Sequence, residues 1–124
     1  MSKVKILLIE DEKSLVNILK KAFDPQKYHI DLAIEAKEGI EKTKKNKPDI
    51  IILDILLPGQ SGFEVLRQIK KDKQTKDIPV MILSNLGQDR EIKTGLELGA
   101  EDYLVKADFT VDEVVDKVKK LVKK

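Results

Sequence analysis

Cysteine is absent from this chain of 124 residues. A disulfide framework, a thiol nucleophile and a zinc-thiolate site are therefore excluded as the basis of its fold or chemistry. Long apolar segments are missing too, since the first apolar run extends only from Ile6 to Ile9. That run is too short for a signal peptide, and no run approaches the ~20 residues needed to span a bilayer. We therefore expect a cytoplasmic protein that does not enter a membrane.

A large charge of one sign is also lacking, because 24 basic residues face 22 acidic ones and leave a formal net charge of +2. So balanced a charge does not indicate nucleic acid or a membrane surface as a direct partner. We interpret the lysines from Lys117 to Lys124 as a solvated helix face, and His29, the one histidine, as a surface residue. At this length we expect a single domain over residues 1–124.

Short apolar strands alternate five times with segments of helical periodicity. The predicted strands are Val4–Ile9, Tyr28–Ile34, Ile50–Leu53, Val80–Leu83 and Asp102–Val105. The predicted helices are Lys13–Phe23, Lys37–Lys45, Gly62–Lys71, Gly87–Leu98 and a last one ending near Val122. Capping boxes are predicted at Ser61/Glu64 and Thr110/Glu113. The alternation predicts an α/β fold with a parallel sheet, helices on both faces and right-handed crossovers.

Polar residues follow four of the five predicted strands. They are Glu10, Asp11, Asp54, Ser84, Asn85 and Lys106. In open α/β sheets, ligands bind at the carboxyl ends of the strands, so we expect these side chains to converge. No G-x-G-x-x-G loop follows the first strand, where the acidic run from Glu10 to Glu12 stands instead. The site is therefore predicted to bind a cation rather than a dinucleotide.

Three converging carboxylates require a counter-charge. At ~4 Å and an effective dielectric of ~20, each like-charge pair costs roughly 4 kcal/mol. Mg²⁺, which prefers carboxylate, water and phosphate oxygens, would offset this cost together with the ammonium of Lys106; Mn²⁺ is an alternative ion. The pattern predicts a metal-assisted phosphoryl site. Asp54 would be the nucleophile that forms an acyl phosphate, and Lys106 and Ser84 would stabilise charge on the transferring group.

Four segments, in this order and at this spacing, resemble the receiver domain of two-component response regulators. They are "LLIEDE" at 7–12, "DIIILDILLPGQSG" at 49–62, "PVMILSN" at 79–85 and "GAEDYLVKADF" at 99–109. The resemblance covers essentially the whole chain. It implies a flavodoxin-like (βα)5 three-layer sandwich with a parallel five-stranded sheet in the order 2-1-3-4-5. It also implies a phosphorelay role, with a histidine kinase or a phosphotransfer protein as phosphodonor.

The resemblance further implies a role for each matching residue. Asp54 corresponds to the phospho-acceptor, Ser84 to the switch hydroxyl and Lys106 to the phosphate-pairing lysine. The metal shell is implied for Glu10, Asp11, Asp54 and the backbone carbonyl of Leu56, and a rotamer switch for Tyr103. The family catalyses its own phosphorylation and slow dephosphorylation rather than acting as a classical enzyme. It signals through a downstream protein target, as a monomer or a phosphorylation-dependent homodimer.

Three positions depart from the family pattern. Ala107 stands where the family has a proline with a cis bond; because a cis bond to a non-proline residue costs about 2.5–4 kcal/mol, we predict a trans Lys106–Ala107 bond. Asn85 replaces a small residue, which would narrow access to the phosphoryl group or add a hydrogen bond. Leu56 and Leu86 flank the expected path of the hydrolytic water, and we hypothesise that they lengthen the phosphoryl lifetime.

Alternative interpretations remain open at the level of sequence. Glu10 and Asp11 also suit the N-terminus of a helix, Ser84 suits a helix cap, and Tyr103 suits an aromatic at the core edge. At the level of function, the alternatives are a pseudo-receiver that binds partners without phosphorylation and a small Mg²⁺-dependent phosphohydrolase. The second lacks a D-x-D motif and room for a specificity cap.

Overall fold

The computed structural model describes residues 3–122, which form one parallel sheet with helices on both faces. The strands are β1 (Val4–Ile9), β2 (Tyr28–Ala33), β3 (Ile50–Leu53), β4 (Val80–Ser84) and β5 (Asp102–Val105). The helices are α1 (Lys13–Ala22), α2 (Ala36–Asn46), α3 (Gly62–Lys71), α4 (Asp89–Glu97) and α5 (Val111–Val122). The strand order β2-β1-β3-β4-β5 confirms the predicted flavodoxin-like fold. Lys123 and Lys124, at the end of the predicted lysine-rich face, lie outside the described residues.

Two apolar clusters, one on each face of the sheet, hold the layers together. In β1, Leu7 and Ile9 pack with α2 and α3 on one face. Ile6 and Leu8 pack with α1 and α5 on the other. A central parallel strand is covered on both faces, which explains why residues 6–9 of β1 and the whole of β3 are continuous apolar runs rather than alternating ones. The chain thus places α1 and α5 on one side and the other helices opposite.

Local hydrogen bonds explain where the observed helices differ from the predicted ones. At α4, the backbone N–H of Gln88 donates to the Glu91 carboxylate at 3.0 Å, so the helix begins at Asp89 rather than Gly87. Before α3, the Ser61 hydroxyl accepts from the Phe63 N–H. Glu64 pairs with Arg67 instead of completing the predicted capping box.

The cap of α5 follows the prediction, because Thr110 and Glu113 bond reciprocally. The Glu113 N–H donates to Thr110 Oγ1 at 3.2 Å, and the Thr110 N–H donates to Glu113 Oε1 at 2.9 Å. These bonds satisfy two backbone donors that a helix start would otherwise leave free. Among the residues that the structure describes, no helix combines the length and apolar character needed to cross a membrane.

Side chains occupy the outer edge of β2, the strand at one end of the sheet. The bonds from Val4 N to Lys27 O and from Glu10 N to Ala33 O show that the backbone N–H and C=O groups of odd-numbered residues in this segment point toward β1. The backbone N–H and C=O of Leu32 therefore point away from β1, to the outer edge of the sheet. The Leu32 N–H donates to Asp31 Oδ1 at 2.9 Å, and its carbonyl accepts from Lys42 Nζ.

Two further bonds close this edge clasp, by which we mean Asp31, Lys42 and Asn46 around the Leu32 backbone. Lys42 Nζ lies 3.2 Å from Asp31 Oδ1, and Asn46 Nδ2 donates to Asp31 Oδ2 at 3.0 Å. Burial acts to raise the pKa of Asp31, but the Lys42 ammonium outweighs it and holds the pKa below its usual value. Because the folded-state pKa is depressed, the clasp contributes fully at neutral pH and is lost only below about pH 4.

We expect Asp31→Ala to open this edge of the sheet. An unpaired edge strand is a template for pairing with another chain, so the variant should self-associate at high concentration, and its Leu32 amide should exchange hydrogen faster. Size-exclusion chromatography with light scattering and amide exchange measure both effects. Glu64→Ala is the control, since Glu64 also forms a surface ion pair, but with Arg67 of its own helix α3. Equal behaviour of the two variants would contradict the expectation.

Candidate functional site: an acidic cluster with a shared lysine

The predicted carboxylates converge at the carboxyl ends of β1 and β3. These strands are neighbours with Ile9 opposite Leu53, and the N–H of Asp54 donates to the Ile9 carbonyl at 3.0 Å. Glu10 and Asp54 therefore leave the sheet side by side. Glu10, Asp11 and Asp54 each offer one carboxylate oxygen, and all three oxygens lie within 4.8 Å of one another. Glu10 and Asp54 are buried, whereas Asp11 is exposed.

Lys106 reaches this cluster from the short 3-10 turn Lys106–Asp108 that follows β5. Its Nζ lies 3.1 Å from Asp54 Oδ2, 3.1 Å from Glu10 Oε1 and 3.1 Å from Glu12 Oε1. The ammonium can donate three hydrogen bonds, and each of them has a carboxylate partner. One largely buried lysine therefore neutralises part of an acidic cluster drawn from two separate segments of the chain.

The pKa values of this site follow from its burial and its charges. Burial raises the pKa of Glu10 to about 7, and the charge of Asp54 acts in the same direction against the opposing ammonium. Burial alone would lower the pKa of Lys106, but the charges of Asp54 and Glu10 outweigh it and raise that pKa. Lys106 is thus held as a cation at neutral pH.

Glu12 is a member of the cluster that sequence reasoning did not single out. It contacts Lys106, and its own N–H donates to Glu10 Oε2 at 3.1 Å. Its side chain is about half exposed, at 51%. The only signal in the sequence was a third acid in the run from Glu10 to Glu12, which is equally typical of a helix start. Only the position of Lys106 distinguishes the two interpretations.

Ser84 ends β4, the strand between β3 and β5, and is fully buried. Its hydroxyl oxygen accepts from the N–H of Leu86 at 3.4 Å. Asn85, the next residue, is exposed. The structure therefore places a hydroxyl on the strand between those that carry Asp54 and Lys106.

The loop after β3 carries Leu56, whose N–H donates to Asp54 Oδ1 at 3.1 Å. This bond orients the carboxylate and leaves Oδ2 toward Lys106. The Leu56 side chain is 52% exposed, which is unusual for a leucine. A large apolar side chain thus stands two residues after Asp54 with about half of its surface exposed.

Tyr103 of β5 lies inward and is 7% exposed. Its hydroxyl donates to the carbonyl of Leu86. Burial raises the pKa of Tyr103 to about 12, with the charges of Glu91 and Asp54 adding to the effect. His29, by contrast, is exposed on β2, away from the site.

The Lys106–Ala107 peptide bond is trans, because residues 3–122 contain no cis peptide bond. This confirms the prediction made from the alanine at position 107. The 3-10 turn Lys106–Asp108 connects β5 to the segment before α5, and the Lys106 side chain still reaches the acidic cluster.

The donor chemistry of the site fits a hard divalent cation. Such ions prefer oxygen ligands, and Mg²⁺ in particular is held by one or two carboxylates plus water and phosphate oxygens. Glu10, Asp11 and Asp54 provide carboxylate oxygens close enough to share one ion. The exposed position of Asp11 leaves access from solvent, as an ion that retains water requires.

Comparison with known proteins identifies the family to which the chain belongs. The sequence profile of the response regulator receiver domain matches residues 6–119. Response regulator ArlR of Staphylococcus saprophyticus is 32% identical over 120 residues, 97% of this chain and 53% of the relative. The alkaline phosphatase synthesis transcriptional regulatory protein PhoP of Bacillus subtilis is 34% identical over 120 residues, 97% of this chain and 49% of the relative.

Solved structures show the same likeness. The Francisella response regulator 1452 receiver domain superposes with a TM-score of 0.88 at 30% identity, over 98% of each chain. The chain spans about half the length of the two bacterial relatives that it matches. The sequence profile, the relatives and the solved structure together show that this chain belongs to the response regulator receiver domain family of two-component systems.

Proposed function

We propose that Asp54 is the phospho-acceptor of this receiver domain. One of its carboxylate oxygens attacks the phosphorus of a phosphohistidine, or of a small acyl phosphate, and forms an acyl phosphate. The bond between phosphorus and the donor atom breaks, and the donor leaves with its electron pair. The observation that supports this most is the placement of Asp54 within 3.1 Å of Lys106 and beside two further carboxylates.

Glu10, Asp11 and Asp54, with the backbone carbonyl of Leu56, would hold a Mg²⁺ ion, or Mn²⁺ in its place. When bound, the ion neutralises charge on the phosphoryl oxygens. Lys106 pairs with a phosphoryl oxygen, for which it gives up one of its three bonds to carboxylates. The Ser84 hydroxyl, which accepts a bond from the Leu86 N–H, donates its own proton to another phosphoryl oxygen. These changes of partner supply the difference between the two states of the switch.

Phosphorylation adds about −1.5 to −2 charges at one point of the surface. The change biases a two-state protein surface, including Tyr103, and we propose that the output is contact with a protein rather than direct binding of nucleic acid. The domain would act in the cytoplasm as a unit comprising residues 1–124, with a histidine kinase or phosphotransfer protein as donor. PhoP and ArlR are regulators about twice as long as the matched region, so their outputs are not assigned to this chain.

Incubation with acetyl phosphate and Mg²⁺, followed by intact mass measurement, tests the proposal. A gain of one phosphoryl group that requires the divalent ion is expected. No gain, after fast hydrolysis has been excluded by measuring phosphate release, would contradict the proposal and favour a pseudo-receiver. Multiple turnover on unrelated phosphoesters would instead favour a phosphohydrolase.

Leu56 is expected to slow loss of the phosphoryl group. Its half-exposed side chain offers no hydrogen bond to a water that approaches the phosphorus, whereas an amide can hold such a water. We expect Leu56→Asn to lose its phosphoryl group several-fold faster than the parent, measured by the decay of the phosphorylated mass. Leu96→Asn is the control, since Leu96 is similarly exposed on α4, remote from the site. An unchanged or slower decay would count against the hypothesis.

A further inference from the structure

Gly95 is the point at which α4 meets the sheet. Of the residues of α4, which the structure describes in full, Gly95 alone is buried. A Cβ placed on Gly95 would lie 2.8 Å from Cδ2 of Tyr103 and 2.7 Å from Cδ1 of Ile82. Carbon atoms in contact are ordinarily about 3.5–4.0 Å apart. The helix therefore lies directly against the Tyr103 ring, and only a residue without a side chain permits this approach.

Tyr103 is held at its other end by the segment that leads into α4. Its hydroxyl donates to the Leu86 carbonyl, and the N–H of the same Leu86 donates to the Ser84 hydroxyl oxygen. Leu86 thus bonds to Tyr103 with one backbone group and to Ser84 with the other. The Tyr103 side chain extends from Gly95, which its ring contacts, to Leu86, which its hydroxyl contacts. The position of the ring and the position of α4 therefore depend on each other.

We propose that Gly95 is the positioning residue for Tyr103: its missing side chain lets α4 close over the ring and keeps the hydroxyl on Leu86, which joins α4 to Ser84. Glycine is a poor helix former, so local helix stability does not favour it in α4. The close approach to the ring explains its presence. The nearly complete burial of the ring, which also raises the pKa of Tyr103, agrees with close packing of the ring against Gly95.

The solvent exposure of the Tyr103 ring measures directly whether the ring stays packed against Gly95. The sequence has no tryptophan and two tyrosines, so in a Tyr28→Phe background the tyrosine fluorescence comes from Tyr103 alone. We expect Gly95→Ala to raise the acrylamide quenching constant by at least about twofold, because an added methyl in a packed site forces a side chain out of its position. The measurement uses the unphosphorylated protein at neutral pH.

Gly39→Ala is the matched control. Gly39 lies in α2, and a Cβ there would be 2.7 Å from Cδ1 of Ile9, so the same methyl meets an isoleucine away from Tyr103. We expect this variant to leave the quenching constant unchanged even if it is less stable. An unchanged constant in Gly95→Ala, or an equal rise in Gly39→Ala, would overturn the proposal.

Urea denaturation provides a second test that does not depend on the spectrum. In the parent, Gly95→Ala should lower the denaturation midpoint because the methyl meets the ring. In a Tyr103→Ala background the ring is gone and the tip of Ile82 can rotate, so the same change should leave the midpoint unchanged or raise it through helix propensity. Coupling of this kind marks residues in contact. Shifts of the same sign and size in both backgrounds would overturn the proposal.

A signalling role for the link from α4 to Ser84 rests on the proposed function, but the role of Gly95 in positioning the Tyr103 ring does not. Both tests use protein that has not been phosphorylated. If acetyl phosphate fails to modify the protein while Gly95→Ala still exposes the ring, the phospho-acceptor assignment fails and the role of Gly95 stands. If the protein is phosphorylated but the ring does not respond to Gly95→Ala, the role of Gly95 fails alone.

Discussion

Asp54→Asn is expected to abolish the phosphoryl gain that the parent shows with acetyl phosphate and Mg²⁺. The amide has almost the shape of the carboxylate and can still accept the bond from the Leu56 N–H. It lacks the anionic oxygen that attacks phosphorus, so the covalent step has no nucleophile. Intact mass measurement over a time course gives the result, with the parent reaching one added phosphoryl group and the variant none.

Asp77→Asn is the control for this prediction, since Asp77 is an exposed carboxylate in the segment before β4. It should be phosphorylated as the parent is. A phosphoryl gain in Asp54→Asn equal to that of the parent would mean that another residue accepts the group. Digestion and mapping of the modified peptide would then identify that residue.

Lys106→Met is expected to have the second large effect, on both stability and phosphorylation. The change leaves Glu10, which is 1% exposed, and Asp54, which is 4% exposed, without their common cation. Removing one partner of a buried ion pair leaves an uncompensated charge, and we expect the free energy of unfolding to fall by about 3 kcal/mol. Phosphorylation should become much slower because no ammonium meets the phosphoryl oxygens.

Added Mg²⁺ should restore part of the lost stability of Lys106→Met, because a ligand that binds only the folded state stabilises it by mass action. Urea denaturation with and without the ion measures this. Lys117→Met is the control: Lys117 pairs with Asp102 at 3.2 Å on the surface, where such a pair contributes about 0.2–1 kcal/mol. The account of the site would be wrong if Lys106→Met matched the parent in stability and in phosphorylation rate.

Much of the fold could be predicted because its signals are local. The continuous apolar runs of β1 and β3, the 3.6-residue periodicity of the helices and the Thr110 cap all report the immediate surroundings of the chain. β1, β3, α3 and β5 have the bounds that the sequence predicted. Errors of one or two residues arose at the ends of other helices and strands, as at α4, where a Gln88 bond that the pattern did not reveal decides the first residue.

The convergence of the acidic site was also predictable, because parallel strands carry their carboxyl ends to one edge of the sheet. The sequence alone was therefore sufficient to bring Glu10, Asp54 and Lys106 to the same place. It also identified the trans bond at Ala107, since the energy of a cis peptide depends on the residue itself.

Only the tertiary structure decided which side chains meet within these regions. Glu12 became a partner of Lys106, although 94 residues separate them. Gly95 lies against the Tyr103 ring, and Asp31 and Lys42 pair beside the outer edge of β2. The physical reason is that periodicity and residue type report whether a side chain is buried, whereas its partners depend on the order of the strands and on how closely each helix lies against the sheet.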